Sequence, residues 1–527
     1  MGASTLRYSA ILLVFLGFLI SHRSSAEKVL LVPPPCAESP WMSMAKMGCA
    51  LVDKGHIVTA VVSEDFVGKR RSEWPDLQFE AIQDHGTQVR LKKEENEIMS
   101  TAEKLNLSNL IEWMPAAMEG FKEYCAHLLG DSSLMDRLRA SQYSVVISET
   151  FFPCGAILSA QLDIPNIAFM RLDLHFLDEK ATGVPLPLSY VPSILTDFTD
   201  DMTFVQRLQN VVLSTLVPVL ARLGVSSYYD ELVRKYIGEK ETIQSVTSRA
   251  VLWLCRTDNV LDFPRPSMPN MVQVGGLNVG ANNPLAEDVE AFVKSSGDDG
   301  VIVVSFGSFV ETMSAERREV FAAAFARLRQ KVVWRYVGEK PIGLGNNTKL
   351  MGWLPQNDLL GHPKTRAFIT HAGSHGMYEA LHHGVPMVCL PLFGDQPANA
   401  ARVVARGLGV TLDFSTVTAD QLYQAVLHVV TNTSYRETAA RLSRLHRDQP
   451  QSPMERAVWW IEHVIKHGGL PHLRARAVEL PWYQYYLLDV AVFLFAVCLA
   501  VLGTVWCSCL FICRKICRKS GGKLKSQ

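Results

Sequence analysis

The sequence predicts an α/β protein with two doubly wound parallel sheets in series and a C-terminal membrane helix. Its 527 residues are too many for one ordinary hydrophobic core. In two separate stretches, short apolar runs alternate with segments of helical periodicity, a pattern typical of parallel sheets covered by helices. Residues 490–513 carry no charged side chain and are numerous enough to cross a bilayer as a helix.

The first sheet is predicted from the start of the N-terminal half. Residues 28–32 form a buried-strand pattern, apolar residues at helical spacing follow between positions 44 and 51, and residues 57–62 form a second strand pattern. This order of strand, helix and strand predicts a parallel βαβ unit. The pattern is weak between residues 64 and 140, and it returns in two later strands, 145–148 and 164–170.

The second sheet is predicted after a linker at residues 274–284, where Gly and Asn cluster and periodicity is lost. The run VIVVSF at residues 301–306 is predicted to be its first strand, and a helix is predicted at 315–330. Five further strands alternate with helices up to residue 414. Because ligands bind at the carboxyl ends of strands in open α/β sheets, we expect a binding cleft between the two domains.

Both ends of the chain are predicted to be related to a membrane. Residues 1–26 combine Arg7, an apolar run and small residues before position 26, which is typical of a cleaved secretory signal. Arg514 and Lys515 follow the predicted span at once. The positive-inside rule therefore places the tail, residues 514–527, in the cytosol and the body of the protein in a lumen.

Two further signals agree with this topology. Lys525 and Lys523 stand third and fifth from the C-terminus, where they resemble a dilysine signal for retrieval to the endoplasmic reticulum. Sequons for lumenal N-glycosylation begin at three positions, Asn106, Asn346 and Asn432.

Charge and cysteine content narrow the class of partner. The formal net charge is zero, which argues against a nucleic-acid partner and favours a small molecule or another protein. The 11 cysteines include no CxxC pair and no spacing of metal ligands, so neither a zinc site nor a disulfide scaffold is indicated. A single disulfide remains an open alternative.

A small-residue turn in the C-terminal half predicts an anion site. The segment THAGSHG begins at the end of a predicted strand, at His371, and leads into an amphipathic helix through small residues at 372–376. Exposed N–H groups at a helix N-terminus bind anions, and small side chains let the ligand approach the backbone. The turn is therefore suited to a diphosphate.

The stretch from residue 353 to 407 resembles the signature of the UDP-glycosyltransferases, and its THAGSHGMYE form is most similar to vertebrate UDP-glucuronosyltransferases. Matching motifs include DFPRPSMPNMVQVGGL, VSFGS and PWYQYYLLD. The resemblance implies a GT-B fold, with two Rossmann-like domains facing across a cleft. It also implies the following segments: a signal peptide at 1–26, an acceptor-binding domain at 27–284, a UDP-sugar-binding domain at 285–446, C-terminal helices and a membrane-proximal segment at 447–489, a transmembrane helix at 490–513 and a cytosolic tail at 514–527.

The resemblance also implies how the donor is bound. Trp353 would stack on uracil, Gln356 would bond the edge of the base, and Glu379 would accept from the ribose hydroxyls. Asp395 and Gln396 would hold the hydroxyls of the sugar. The diphosphate would be surrounded by Ser308, His371, Gly373, Ser374, His375 and Gly376.

The implied reaction is an inverting transfer of glucuronic acid from UDP-glucuronate to a small lipophilic acceptor. Fixed donors and a helix N-terminus would stabilise the departing diphosphate. The chain contains no DxD motif, so we expect no metal and no cofactor beyond the sugar donor.

The chain departs from the family at the base that deprotonates the acceptor. Pro40 stands where the catalytic histidine belongs, and Glu149 stands where the aspartate that orients it belongs. Glu149 and Glu38 are the candidate substitute bases. Loss of a general base slows transfer to alcohols, whereas a tertiary amine has no proton to lose, so a preference for amines is expected.

Two alternatives remain open. The chain could be a catalytically weak partner subunit that binds a UDP-sugar and modulates active relatives, or a transferase that uses UDP-glucose. Assembly as a homo-oligomer, or as a hetero-oligomer with relatives, is expected in either case.

Overall fold

The structure, a computed structural model, describes residues 26–36, 38–100, 107–171, 180–307 and 313–522. Residues 1–25 of the predicted signal peptide, Asn106, Ser308, Lys523 and Lys525 lie outside these described residues. The predicted two-sheet α/β architecture is confirmed, and all strand pairs in both sheets are parallel.

The first sheet contains seven described strands in the order β3-β2-β1-β4-β5-β6-β7. They are β1 (Lys28–Val32), β2 (Ile57–Ser63), β3 (Gln78–Ile82), β4 (Val145–Glu149), β5 (Asn166–Met170), β6 (Leu252–Cys255) and β7 (Met271–Gln273). The helices of this half are α1 (Glu38–Asp53), α2 (Glu64–Glu73), α3 (Thr87–Ser100), α4 (Leu107–Gly130), α5 (Ser132–Ser141), α6 (Cys154–Leu162), α7 (Phe204–Tyr236) and α8 (Ile243–Thr247).

The second sheet contains six described strands in the order β10-β9-β8-β11-β12-β13. They are β8 (Val301–Ser305), β9 (Lys331–Arg335), β10 (Thr348–Met351), β11 (Thr365–Thr370), β12 (Met387–Cys389) and β13 (Gly409–Thr411). The helices are α9 (Glu287–Lys294), α10 (Ala315–Ala326), α11 (Gln356–Leu360), α12 (Ser374–His383), α13 (Gln396–Ala405), α14 (Ala419–Thr431) and α15 (Thr433–Arg447).

The strand order reverses once in each sheet, next to its first strand. In the first sheet β1 lies between β2 and β4, and in the second sheet β8 lies between β9 and β11. At such a switch point the loops leave in opposite directions and open a crevice at the carboxyl ends of the strands. The segments that follow β1, β4, β8 and β11 are therefore the places where a ligand site is expected.

Each sheet has a hydrophobic core on both faces. One core of the first sheet joins α1 to α16 (Pro453–His467), which returns from the C-terminal half and buries Val458, Ile461 and Val464 there. The predicted boundary at residue 447 thus separates α16 from the second domain in sequence, while in space α16 covers the first sheet.

The chain divides into two compact units, Met1–Arg474 and Ala475–Gln527. The second unit contains the short helix α17 (Trp482–Tyr485) and the long helix α18 (Leu488–Gly522). Within α18, Leu488–Cys517 is long and apolar enough to cross a membrane, with a mean hydropathy of 2.6. A C-terminal apolar helix is therefore present where the sequence predicted the span.

Several elements were not predicted from the sequence. β3, β6 and β7 are strands of only three to five residues. Such short strands carry too few alternations for a periodic signal, and pairing with neighbours distant in sequence defines them. α7 was missed because apolar residues occur on all its sides, which leaves a weak helical periodicity.

A disulfide joins Cys125 of α4 to Cys154 at the start of α6, with 5.6 Å between their Cα atoms. It closes a loop of 29 residues that contains α5 and β4. The bond settles the alternative left open by the cysteine spacing, and a disulfide of this kind is typical of an oxidising compartment.

We predict that replacing both cysteines, Cys125→Ala and Cys154→Ala together, lowers the free energy of unfolding by about 2–4 kcal/mol, because the unfolded chain regains the entropy of an open loop. Thermal unfolding of the detergent-solubilised chain measures this as a lower Tm. Reductant should lower the Tm of the wild-type chain and leave that of the double variant unchanged. An equal effect of reductant on both chains would show that the bond does not stabilise the fold.

Candidate functional site

The predicted anion turn lies at the switch point of the second sheet. β11 ends at Thr370, His371–Gly373 form the turn, and α12 begins at Ser374. Ala372 has a φ of 61°, a left-handed conformation that is unusual for a residue with a side chain. This sharp change of direction aims the start of α12 away from its strand and into the crevice.

The N-terminus of α12 has no side-chain cap, because its N-cap residue is Gly373. The first N–H groups of a helix have no acceptor within the helix, so those of α12 are available to a ligand. A Cβ on Gly373 would lie 2.3 Å from Nε2 of His371. Glycine is therefore needed here so that the imidazole of His371 can lie against the turn.

His371 and His375 are both neutral hydrogen-bonding groups at pH 7. Burial lowers the pKa of His371 to about 4. Burial, together with the positive charges of Arg256 and Lys46, holds the pKa of His375 well below its usual range. A neutral imidazole can donate one hydrogen bond to a phosphate oxygen, although it adds no net charge.

His375 links the second domain to the first. Its Nε2 lies 3.2 Å from Oγ of Ser39 and 3.1 Å from Oγ of Ser43, both on α1. Asn278 in the linker completes the contact, since its Nδ2 donates to Oγ of Ser43 over 2.9 Å. The N-terminal ends of α1 and α12 therefore meet across the cleft.

Trp353 and its neighbours form a platform for a flat group. The Trp353 side chain is 60% exposed, and the guanidinium of Arg335 lies 5.0 Å from the centroid of its ring. Arg335 also bonds the carbonyl oxygen of Gly307, which fixes the guanidinium. One face of the indole is thus supported by a cation, and a base can stack on an aromatic side chain of this kind.

Gln356 and Glu379 form a hydrogen-bonded pair beside this platform. Nε2 of Gln356 donates to Oε2 of Glu379 over 2.6 Å. Burial raises the pKa of Glu379 to about 7, although the hydrogen bond from Gln356 and the charge of Lys46 act in the opposite direction. The structure therefore brings together the two side chains that were predicted to bind uracil and ribose.

Asp395 and Gln396 already have partners within the chain. Oδ2 of Asp395 accepts from Oγ of Ser374 over 2.7 Å and from Nδ2 of Asn399 over 2.8 Å. Oε1 of Gln396 accepts from the backbone N–H groups of residues 392 and 393. These bonds leave Oδ1 of Asp395 and Nε2 of Gln396 as the atoms that can bond a sugar. The bonded oxygens, Oδ2 and Oε1, hold the loop before α13.

Arg256 is a functional candidate that sequence reasoning missed. It follows β6 directly, is only 8% exposed, and its Nε and Nη1 have no hydrogen-bond acceptor among the described residues. Burial lowers its pKa to about 10, while the charge of Asp395 acts in the opposite direction. It therefore remains charged at pH 7, beside His375 and Asp395. In the sequence, only its position directly after a short strand could have indicated that Arg256 lies near a ligand site.

Pro40 lies in the first turn of α1, where the sequence alone did not show whether the segment was loop or helix. Proline is tolerated there because the N–H groups of the first turn have no acceptor within the helix. The side chain is buried and offers no proton acceptor. The other candidate base in this turn, Glu38, is already paired with Arg70.

Glu38 is held by an ion pair. Nη1 and Nη2 of Arg70 donate to its two carboxylate oxygens over 2.5 and 2.8 Å. Burial alone would raise the pKa of Glu38, but the hydrogen bond and charge of Arg70 lower it to about 2. A carboxylate with so low a pKa is a weak base, which disfavours Glu38 as a substitute.

Glu149 is also engaged. It is 0% exposed, its Oε1 lies 3.1 Å from Nε of Arg171, and its Oε2 accepts from the N–H of Phe151 over 3.0 Å. Burial raises the pKa of Glu149, and the charge of Arg171 opposes this shift. Although the raised pKa suits a base, Oε1 is in an ion pair with Arg171, Oε2 is hydrogen-bonded, and the side chain exposes no surface to an acceptor.

Comparisons with known sequences identify the family of the chain. A family model described as UDP-glucoronosyl and UDP-glucosyl transferase matches residues 27–523. UDP-glucuronosyltransferase 1-2 of Rattus norvegicus is 40% identical over 499 residues, which cover 93% of this chain and 92% of that protein. UDP-glucuronosyltransferase 1A1 of Homo sapiens is 39% identical over 523 residues, which cover 97% of this chain and 95% of that protein.

Solved structures share the fold. The glycosyltransferase of kitacinnamycin has a TM-score of 0.55 and 20% identity, and it covers 83% of this chain and 98% of its own. The calicheamicin glycosyltransferase CalG4 has a TM-score of 0.55 and 17% identity, with 84% and 100% covered. These likenesses establish the GT-B fold, and the sequence relatives establish the rest: the chain is a glycosyltransferase that belongs to the UDP-glucuronosyltransferase family.

Proposed function

We propose that the protein transfers glucuronic acid from UDP-glucuronate to small lipophilic acceptors, with inversion at the anomeric carbon and with a preference for amines. The observation that carries the donor half is the uncapped N-terminus of α12, which lies beside the buried charge of Arg256. The observation that carries the acceptor half is Pro40 at the base position, with both candidate carboxylates, Glu38 and Glu149, engaged by arginines.

The proposed reaction is a single displacement. The acceptor nucleophile attacks the anomeric carbon from the face opposite the diphosphate, and the bond from that carbon to the diphosphate oxygen breaks. The electron pair leaves with UDP, whose growing negative charge is stabilised by the N–H groups of α12 and by Arg256. Neutral His371 supplies a further donor, while the ring nitrogens of His375 are engaged by Ser39, Ser43 and Asn278. The reaction so written needs no metal and no cofactor beyond the donor.

The preference for amines follows from what the acceptor side lacks. A phenol or alcohol must lose a proton during attack, and a positioned base is typically worth about 10²–10⁴ in rate. The Glu38 carboxylate is paired with Arg70, and that of Glu149 is buried against Arg171. A tertiary amine attacks through its lone pair and releases no proton, so it does not need the missing group.

We also propose that the body of the protein lies in the lumen of the endoplasmic reticulum, as a single-pass membrane protein with a cytosolic tail. The disulfide between Cys125 and Cys154 suits an oxidising compartment. The sequon residues Asn346 and Asn432 are both exposed, so glycosylation could reach them without unfolding. Arg514, directly after the predicted span, supports the orientation.

The acceptor hypothesis is tested by Pro40→His, with Pro40→Asn as the matched control that adds a polar side chain without a base. We expect Pro40→His to raise kcat/KM for a phenol by about 10²-fold and to leave that for a tertiary amine unchanged. Pro40→Asn should raise neither value. The measurement is a product assay in microsomes that contain only this chain and UDP-glucuronate.

Three results would contradict parts of the proposal. Fast transfer to phenols by the wild-type chain would remove the preference for amines. No transfer to any acceptor, with UDP binding retained, would favour the catalytically weak partner subunit. Faster transfer from UDP-glucose than from UDP-glucuronate would change the donor.

The role of Arg256 is tested by Arg256→Met, which keeps an unbranched stem and removes the charged guanidinium. Since charged hydrogen bonds contribute about 1.5–3 kcal/mol, we expect the KM for UDP-glucuronate to rise by about 10–100-fold. The same substitution at exposed Arg249 is the control and should leave KM unchanged. An equal rise for UDP-glucose would assign Arg256 to the diphosphate, whereas a rise for UDP-glucuronate alone would assign it to the sugar carboxylate. Unchanged KM for both donors would exclude Arg256 from the site.

Donor binding should depend on pH through Glu379. The ionised carboxylate accepts hydrogen bonds from ribose, and its pKa of about 7 means that it becomes protonated as pH falls through 7. We therefore expect the KM for the donor to be constant above pH 8 and to rise by up to about tenfold per unit below pH 7. Steady-state kinetics between pH 6 and 9 measure this. In Glu379→Gln the KM should be higher at pH 8 and the rise below pH 7 should be absent; if it persists, another group titrates.

A further inference from the structure

Helix α1 presents a polar stripe to the linker and the second domain. Ser39, Ser43 and Lys46 follow one another at intervals of four and three residues, so they lie on one face of the helix. A different face of α1 is apolar and is buried in a core of the first sheet. The two serines contact His375 of α12, and Lys46 contacts Asn278 of the linker. The stripe therefore lines the cleft between the domains.

Lys46 brings a positive charge from the first domain into this cleft. Its side chain is half-buried, and its Nζ donates to the backbone carbonyl oxygen of Asn278 over 2.6 Å. An ammonium group has three N–H donors, and this is the one hydrogen bond that Lys46 makes to the residues that the structure describes. The bond fixes the position of the ammonium without neutralising its charge.

Asn278 is held from both sides by the stripe. Its carbonyl oxygen accepts from Lys46, and its Nδ2 donates to Oγ of Ser43 over 2.9 Å. The same Nδ2 lies 3.0 Å from Nδ1 of His375, at the start of α12. Lys46 is thus attached to the linker residue that touches the helix of the predicted anion site.

The carboxylate on which Lys46 acts is Glu379, one turn along α12 from His375. Burial raises the pKa of Glu379 to about 7, and the charge of Lys46 opposes this shift. Burial also lowers the pKa of Lys46, and the charge of Glu379 is the larger of the two carboxylate charges that oppose it. The two groups therefore stabilise each other's charged forms across the cleft.

The other ionisable groups around Glu379 do not replace this charge. Asp358 of α11 raises the pKa of Glu379, because it carries the same charge. His375 and His383 lie one turn away in either direction along α12, and burial keeps the pKa of each well below 7. Gln356 donates a hydrogen bond to Glu379 and adds no charge. The charged form of Glu379 thus has support from a cation of the first domain.

We propose that Lys46 is a positioning residue for the nucleotide of the donor: its ammonium, fixed by Asn278, keeps Glu379 in the charged form that accepts hydrogen bonds from ribose. The inference rests on the proposed role of Glu379 and is independent of the acceptor and of Pro40. A residue of the acceptor-binding domain then sets part of the affinity for the donor. Its effect is largest near pH 7 and fades at higher pH, where Glu379 ionises without help.

The test measures dissociation constants of uridine and UDP for the detergent-solubilised full chain, by competition with labelled UDP between pH 6.5 and 8.5. Lys46→Met and Lys46→Gln both remove the charge, and Lys46→Arg keeps it. Lys54→Met is the matched control, at an exposed lysine just after α1. Glu379→Gln, alone and combined with Lys46→Met, completes a double-mutant cycle. An unchanged Tm shows that each variant is folded.

We expect Lys46→Met and Lys46→Gln to raise the dissociation constants of uridine and UDP by about three- to tenfold at pH 7, because protonated Glu379 accepts fewer hydrogen bonds. The ratio to the wild-type value should be smaller at pH 8.5. Lys46→Arg should retain most of the wild-type affinity, and Lys54→Met should equal the wild type. In the Glu379→Gln background, Lys46→Met should have no further effect.

An equal loss of affinity at pH 7 and pH 8.5 would overturn the inference, and so would a loss that persists in the Glu379→Gln background. A loss for UDP but not for uridine would also overturn it, because the ammonium would then bind the diphosphate directly.

The two assignments can fail separately. If Glu379→Gln binds uridine as the wild type does, the proposed role of Glu379 is wrong, and the role of Lys46 falls with it. If Glu379→Gln weakens binding while Lys46→Met does not, only the role of Lys46 is wrong.

Discussion

The contact between the N-terminal ends of α1 and α12 is the constraint on which both halves of the site depend. His375 at the start of α12 lies within hydrogen-bond distance of Ser39 and Ser43 on α1, and Asn278 of the linker joins them. Through this contact the anion turn of the second domain faces the acceptor side of the first. A donor held by α12 is thereby presented to whatever acceptor lies beside Pro40.

Charge is distributed unequally across this contact. On the donor side, Arg256 is buried and two of its nitrogens find no hydrogen-bond acceptor among the residues that the structure describes, which makes its charge available to an anionic ligand. On the acceptor side, the carboxylates of Glu38 and Glu149 are each held by an arginine. In the part of the chain that the structure describes, an arginine on the donor side can therefore face an anion, while both candidate carboxylates on the acceptor side are already in ion pairs. This asymmetry is the physical basis for expecting acceptors that need no deprotonation.

The apolar surface of α7 follows from the same principle that a buried polar group must be paired. Asn210 can be buried only because three backbone groups of the adjacent loop satisfy its amide. Those bonds fix which side of the helix faces inward. A pattern that looks like a weak amphipathic helix in the sequence thus becomes an outward-facing apolar stripe in the structure.

Strong local patterns allowed much of the architecture to be predicted from the sequence. The first strand of each sheet, the linker, the C-terminal apolar helix and the turn at residues 371–376 were all predicted, because buried strands, glycine-rich turns and long apolar runs are local in sequence. The family followed from the motif at residues 353–407. The absence of a histidine at position 40 was likewise visible in the sequence alone.

The tertiary structure decided everything that depends on contacts between residues distant in sequence. It paired Cys125 with Cys154, placed α16 on the first sheet and brought Arg256 beside α12. It also showed that Arg70 engages Glu38 and that Arg171 engages Glu149, which no spacing in the sequence could reveal. Residue type shows whether a side chain could be a base, but its pKa and its access depend on neighbours that only the folded chain supplies.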